Sequence, residues 1–205
     1  MKRIVWMALL ALALPMAAFA SSVDFTNSGG TLSGTNAGLS LTGSALIAVN
    51  GLNGGGRVTG SLGTITFSTG ALNSGNLQNG GTFAAGGSFV ITGNGTNGIP
   101  TGTIFNGSFT CSSISPCTWT LVTLANGTHN YTLTGSLSGT WMGTGTVVQG
   151  ATVQLTINTG KGFFNGSTTI SSGDTNIATP EPGTLGLLGT GLVWLAGALR
   201  RKFKA

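Results

Sequence analysis

The strongest constraint on the fold of this chain is a strict two-residue alternation between Tyr131 and Trp141. Apolar or small residues occupy one phase of this segment, and threonine or serine occupies every position of the other. Because successive side chains of a β-strand point to opposite faces, this pattern predicts a strand with one buried and one solvent-facing side. Ala151 to Asn158 alternate in the same way. The first expectation is therefore an all-β body.

Four other segments have less regular strand character: 39–49, 58–67, 89–92 and 119–124. Eight Asn-Gly pairs begin at Asn50, Asn53, Asn79, Asn94, Asn97, Asn106, Asn126 and Asn165. Asn-Gly suits the positive φ angles of tight hairpin turns. Residues 70–87 are expected to be an irregular loop or weakly paired strands. Together these features predict an antiparallel β-sandwich or a barrel-like body with Gly/Asn-rich turns.

A β-solenoid is the alternative architecture. The phrase Leu-Thr-Gly-Ser occurs at Leu41 and Leu133, and Val-Thr-Gly-Ser occurs at Val58. These phrases have no fixed period, which a stacked repeat would require. The repetition is better explained by a small residue alphabet, because glycine, threonine, asparagine and serine supply 103 of the 205 residues. These four residue types also disfavour a helical body.

The net charge of +5 belongs entirely to the two ends of the chain. Residues 21–179 contain two acidic and two basic side chains, Asp24, Asp174, Arg57 and Lys161. A neutral body lacks the clustered lysine and arginine with which proteins bind phosphate backbones, so no nucleic-acid partner is expected.

The first 20 residues have the organisation of a secretory signal peptide. Lys2 and Arg3 form the charged start, an apolar stretch follows, and Ala18-Phe19-Ala20 is a small-x-small cleavage site. The mature chain is therefore expected to begin at Ser21. This prediction places the body outside the cytoplasm, where disulfides are stable.

The opposite end contains an uncharged segment, Gly183 to Leu199, of 17 residues. That length is at the lower limit for a membrane helix. Arg200, Arg201 and Lys202 follow at once, and basic residues stay on the cytoplasmic side. We expect a C-terminal transmembrane helix over 183–199 that anchors the exported body before processing.

Pro180, Glu181 and Pro182 precede this apolar segment. The tripeptide, the apolar segment and the terminal basic cluster together resemble the PEP-CTERM sorting signal. The resemblance implies a Gram-negative-type bacterium and processing by an exosortase, a membrane protease-transpeptidase. It further implies anchoring in the inner membrane, then sorting to the cell surface or the extracellular matrix. The signal is appended to many different bodies, so it implies nothing about this one.

Cys111 and Cys117 are the two cysteines of the chain. In an exported protein an isolated pair of cysteines predicts a disulfide, here one that closes a short loop. A zinc site is not expected, because the chain has one histidine and no second cysteine pair. No metal and no cofactor are predicted.

No catalytic residue is predicted. His129 is expected to be an exposed turn residue, and Asp24 and Asp174 could form a carboxylate pair for glycoside hydrolysis if the fold brought them together. The Gly93–Gly98 match to G-x-G-x-x-G is followed by turn and strand residues rather than the helix that dinucleotide binding needs.

Two features could bind a polysaccharide. Trp119, Tyr131 and Trp141 could stack on sugar rings, although Tyr131 and Trp141 share the apolar phase of their strand and core packing is favoured. Thr-x-Thr motifs begin at Thr64, Thr101, Thr118, Thr132 and Thr144, and their uneven spacing predicts no regular threonine ladder.

These expectations divide the chain into four parts: a signal peptide (1–20), a β-rich extracytoplasmic domain (21–170), a linker (171–179) and a sorting signal (180–205). The favoured function is a non-enzymatic surface or matrix protein associated with exopolysaccharide. A polysaccharide-binding module is the first alternative, and a secreted hydrolase is the second.

Overall fold

The computed structural model describes residues 21–179, of which 68% lie in β-strands and none in an α-helix. The strands are β1 (Ser21–Ser28), β2 (Thr31–Thr35), β3 (Gly38–Asn50), β4 (Val58–Ser68), β5 (Leu72–Asn76), β6 (Gly80–Phe83), β7 (Gly86–Asn94), β8 (Thr101–Phe109), β9 (Cys117–Thr123), β10 (His129–Trp141), β11 (Thr146–Asn158), β12 (Ser167–Thr169) and β13 (Ser172–Thr179). One 3-10 turn lies at Leu52–Gly54.

Eight of these strands close into an antiparallel barrel. The order around the ring is β1, β3, β4, β7, β8, β10, β11 and β13, and the ring closes because β13 is hydrogen-bonded to both β11 and β1. The closed antiparallel ring rules out the solenoid and selects the barrel from the predicted architectures. The compact unit runs from Ser22 to Ala178.

Two short branches extend the ring where a long strand changes partner. The first half of β10 pairs with β9, which continues to β6 and β5, whereas the second half pairs with β8. The first part of β3 pairs likewise with β2, and β2 pairs with β12. The segment predicted as a loop or weakly paired strands thus contains the short pair β5–β6, with loops on either side.

All six predicted strands are confirmed, with small shifts of their bounds. The predicted linker is wrong, because Ser172–Thr179 is β13, a barrel strand. Its inward positions are Gly173, Thr175 and Ile177, all fully or almost fully buried. With one large apolar residue among these three positions, β13 has no visible apolar alternation.

In seven of the eight Asn-Gly pairs, the glycine has the positive φ angle that a tight turn requires. These glycines are Gly51, Gly54, Gly80, Gly95, Gly98, Gly127 and Gly166. The exception is Asn106-Gly107, which lies within β8. A Cβ atom at Gly107 would meet the carbonyl oxygen of Ser138 and the ring of Phe105, so this glycine is required by close packing.

The core is built from inward-facing apolar side chains with two groups of aromatic rings. The first group contains Phe67, Phe89, Phe105 and Phe109, whose contacting ring centroids are 5.6–6.4 Å apart. The second, the aromatic cluster, contains Trp119, Tyr131 and Phe164. The predicted signal peptide and the C-terminal sorting signal lie outside the described residues.

Candidate functional site

A groove of about 390 Å³ lies on the outside of the barrel, across β10, β11, β13 and β1. We call it the polar groove. Its polar side chains on these strands are Asp24, Thr134, Ser136, Thr152, Gln154, Asp174 and Asn176.

Strand register assembles the groove from residues that are far apart in sequence. Thr134 of β10 lies opposite Gln154 of β11, which lies opposite Asp174 of β13. The next outward row joins Ser136, Thr152 and Asn176. Because outward residues recur every second position along each strand, the rows are separated by about 7 Å. The groove therefore presents hydroxyl, amide and carboxylate groups in an ordered array.

The structure brings Asp24 and Asp174 to the same groove, as the carboxylate-pair hypothesis required. Asp24 is half-buried and Asp174 is exposed. Burial raises the pKa of the Asp24 carboxyl above its ordinary value, the negative charge of Asp174 raises it further, and Arg57 opposes the shift. One carboxyl group of the pair therefore holds its proton more strongly than an ordinary aspartate.

The disulfide loop forms a wall of this groove. Cys111 and Cys117 are disulfide-bonded as predicted, with their Cα atoms 5.0 Å apart. The loop between them contributes Ser115 and Pro116 to the lining. The Ser115 hydroxyl is hydrogen-bonded to the Ser136 hydroxyl at 2.8 Å. The disulfide thus restrains a segment that shapes the groove.

A threonine ladder borders the groove, contrary to the expectation from sequence spacing. The Thr-x-Thr motif of β9 lies beside that of β10, with Thr118 opposite Thr134 and Thr120 opposite Thr132. Thr132 is in turn opposite Thr156 of β11. The hydroxyls of Thr118 and Thr134 are 2.7 Å apart. The ladder could not be predicted from the spacing of the motifs along the chain. The strands are antiparallel, and their register brings the motifs side by side.

The three aromatic side chains proposed for sugar stacking are buried. Trp119 is 1% exposed, Tyr131 0% and Trp141 8%, so none of them presents a ring face to a ligand. The Trp119 indole N–H donates to the carbonyl of Leu77 at 2.9 Å, and the Tyr131 hydroxyl donates to that of Gln78 at 2.7 Å. All three residues pack the core, and Trp119 and Tyr131 also hold the β5–β6 turn against it.

The expectation of an exposed turn histidine is wrong, because His129 is 8% exposed at the start of β10. Its ring nitrogen Nδ1 is 3.1 Å from the carbonyl oxygen of Gly162. Its ring stacks on Phe163 with centroids 4.4 Å apart. The contact with Phe163, a half-exposed residue, was not predicted from the sequence. His129 of β10 thus packs against the 159–166 loop.

Two further expectations concern a metal site and a dinucleotide-binding motif. Within residues 21–179, no group of three or more His, Cys, Asp or Glu side chains could hold a metal ion. The Gly93–Gly98 segment runs from the end of β7 into a turn before β8, with no helix after it. In the part of the chain that the structure describes, no helix has the length and apolar character needed to cross a membrane.

The sorting residues Pro180, Glu181, Pro182, Arg200, Arg201 and Lys202 lie outside the described residues, as do Ala18 and Ala20 of the predicted cleavage site. Ser21, the predicted first mature residue, begins β1.

Comparison with known families finds one similarity. Residues 178–202 match the PEP-CTERM protein-sorting motif. No curated protein and no solved structure matches the chain. The tail therefore has the sorting motif that the sequence suggested, and the motif implies an exported protein that is processed by an exosortase in a Gram-negative bacterium.

Proposed function

We propose that this exported, exosortase-sorted protein is a non-enzymatic component of the cell surface or extracellular matrix, and that its barrel associates with exopolysaccharide. The observation that supports this proposal is the polar groove, with its rows of hydroxyl, amide and carboxylate groups. Between residues 21 and 179, the other charged side chains are Arg57 and Lys161.

The chemistry of the groove suits a sugar chain. Sugar hydroxyls donate and accept hydrogen bonds, and the same is true of the threonine and serine hydroxyls and of the Gln154 and Asn176 amides. The rows extend over several strands, so an extended polysaccharide could contact more than one row at once. Repeated weak contacts along one chain add to a larger overall affinity.

The proposal of a non-enzymatic role is supported by the structural roles of the histidine and the two cysteines. The His129 ring is buried, stacked on Phe163 and within hydrogen-bonding distance of a backbone carbonyl. Both cysteines are in the disulfide. The groove itself lies on the outer face of the barrel, whereas enzyme sites exclude water around the reacting atoms.

Retention on exopolysaccharide isolated from the native host tests this role. Replacing Gln154 and Asn176 by alanine removes two amides from the groove, and we expect affinity to fall about tenfold or more. Thr64→Ala with Thr92→Ala is the matched control, because these paired outward residues lie on β4 and β7, outside the groove. Equal retention of wild type and the groove variant would refute the role of the groove, and failure of the wild-type protein to be retained would refute the proposed association.

A secreted glycoside hydrolase is a second candidate, favoured by the Asp24–Asp174 pair. One carboxyl with a raised pKa beside another carboxylate is the arrangement used for acid-base cleavage of glycosidic bonds. Release of new reducing ends from the same polysaccharide, abolished by either Asp24→Asn or Asp174→Asn, would establish the hydrolase. Retention without release of reducing ends supports the matrix protein.

The role of Glu181 in sorting is tested separately. Glu181→Ala should leave full-length protein in the inner membrane, because the apolar segment and the basic cluster are unchanged. Fractionation and size comparison in the native host measure this. Surface delivery of the variant, with its tail cleaved at the wild-type rate, would mean that the tail is a plain anchor.

A further inference from the structure

In the sequence, the sorting motif begins where the last barrel strand ends. β13 ends at Thr179, and the motif match begins at residue 178. An extended chain spans at most about 3.6 Å per residue, so Pro180–Pro182 reach no more than about 11 Å beyond the strand. An enzyme that acts on this tripeptide must therefore work close to the end of the barrel where β13 finishes.

The β10–β11 hairpin turns at this end of the barrel. Thr152 of β11 lies opposite Asn176 of β13. Continuing this antiparallel register, the start of β11 and the turn over residues 142–145 extend past Thr179. Residues 146–148 of β11 continue for about 10 Å along the strand beyond the end of β13. This length is similar to the reach of the sorting tripeptide.

This hairpin presents apolar side chains from a fixed backbone. Met142 is 51% exposed and Val147 is 63% exposed. Immediately before the turn, Trp141 packs on Phe25 of β1 with ring centroids 6.0 Å apart. The Met142 N–H donates to the carbonyl of Ile104 at 2.9 Å. The two apolar side chains are therefore held at the surface by an anchored turn.

We propose that the β10–β11 hairpin, through Met142 and Val147, is the surface of the barrel that contacts the exosortase during processing of the tail. Chain continuity brings that enzyme to this end of the barrel, and the burial of two exposed apolar side chains would favour the contact. The proposal rests on the sorting motif and is independent of polysaccharide binding.

The test is a pulse-chase measurement of tail cleavage in the native host with the full-length protein. Replacing Met142 by serine together with Val147 by threonine should slow cleavage about fivefold. Val122→Thr is the matched control, because Val122 is 49% exposed and pairs with Asn130 at the other end of β10. Limited proteolysis of the same membranes should show that each variant barrel is folded.

A flexible spacer of about ten residues after Thr179 sharpens the test, because it removes the constraint on distance. The hairpin substitutions should then no longer affect cleavage. Wild-type cleavage by the hairpin variant, or an equal slowing with and without the spacer, would overturn the proposal. Glu181→Ala is measured in parallel, so that failure of the hairpin contact is distinguished from failure of the sorting signal.

Discussion

The aromatic cluster and the polar groove are built from the same part of the sheet and have opposite properties. In the cluster, Tyr131 points inward from β10, and both the Trp119 indole and the Tyr131 hydroxyl have hydrogen-bond partners. In the groove, Thr134 and Gln154 point outward toward solvent. Alternation along one strand thus separates the residues that stabilise the fold from those available to a ligand.

The largest expected effect comes from breaking the cluster. Trp119→Ala should lower the free energy of unfolding by about 3–5 kcal/mol, because it leaves a cavity and removes the stacking on Tyr131, whose ring centroid is 5.0 Å away. Urea unfolding of the full-length protein measures this. Thr120→Ala, at the next position and facing outward, is expected to change stability by less than about 0.5 kcal/mol. Equal effects of the two substitutions would contradict the division between core and surface.

An intermediate effect is expected for the disulfide. Its loop forms a wall of the groove. Replacing Cys111 and Cys117 by serine should cost about 2 kcal/mol by the chain-entropy estimate for a short loop. It should also weaken polysaccharide retention, because Ser115 and Pro116 lose their restraint. Unfolding curves with and without reductant measure the first effect in wild type. Curves that coincide after complete reduction would contradict it.

The smallest effect is expected for Asp24. Its folded-state pKa is raised, so its contribution to stability is fully present below the unfolded pKa of about 3.9 and is lost as pH rises through the folded value. Asp24→Asn should therefore be slightly more stable than wild type at neutral pH, and this advantage should disappear at about pH 3. Thermal unfolding at both pH values measures it.

Asp174→Asn is the informative comparison, because it removes the second cause of the Asp24 shift and leaves burial in place. Asp174→Asn should reduce only in part the loss of stability that accompanies ionisation of Asp24 as the pH rises. A variant of Asp24 that is less stable than wild type at neutral pH would show that the carboxylate makes a favourable contact in the groove.

Local pattern was sufficient to predict much of the fold. The alternation over Tyr131–Trp141 and Ala151–Asn158 predicted β10 and β11, because a period of two is a property of the strand itself. Cysteine count predicted the disulfide. β13 was missed because its short inward face of Gly173, Thr175 and Ile177 carries almost no apolar signal. Its position between β11 and β1 supplies the burial that its own sequence does not indicate.

The candidate site depended on tertiary structure to a greater degree. The sequence by itself determined an all-β body with a tail that matches the PEP-CTERM motif, because both follow from residues close together in the chain. Only barrel closure decided that Asp24 and Asp174 share a groove. Only strand register decided that separate Thr-x-Thr motifs form one ladder. The physical reason is that side-chain alternation is local, whereas strand register and closure depend on hydrogen bonds between distant segments, which no short stretch of sequence specifies.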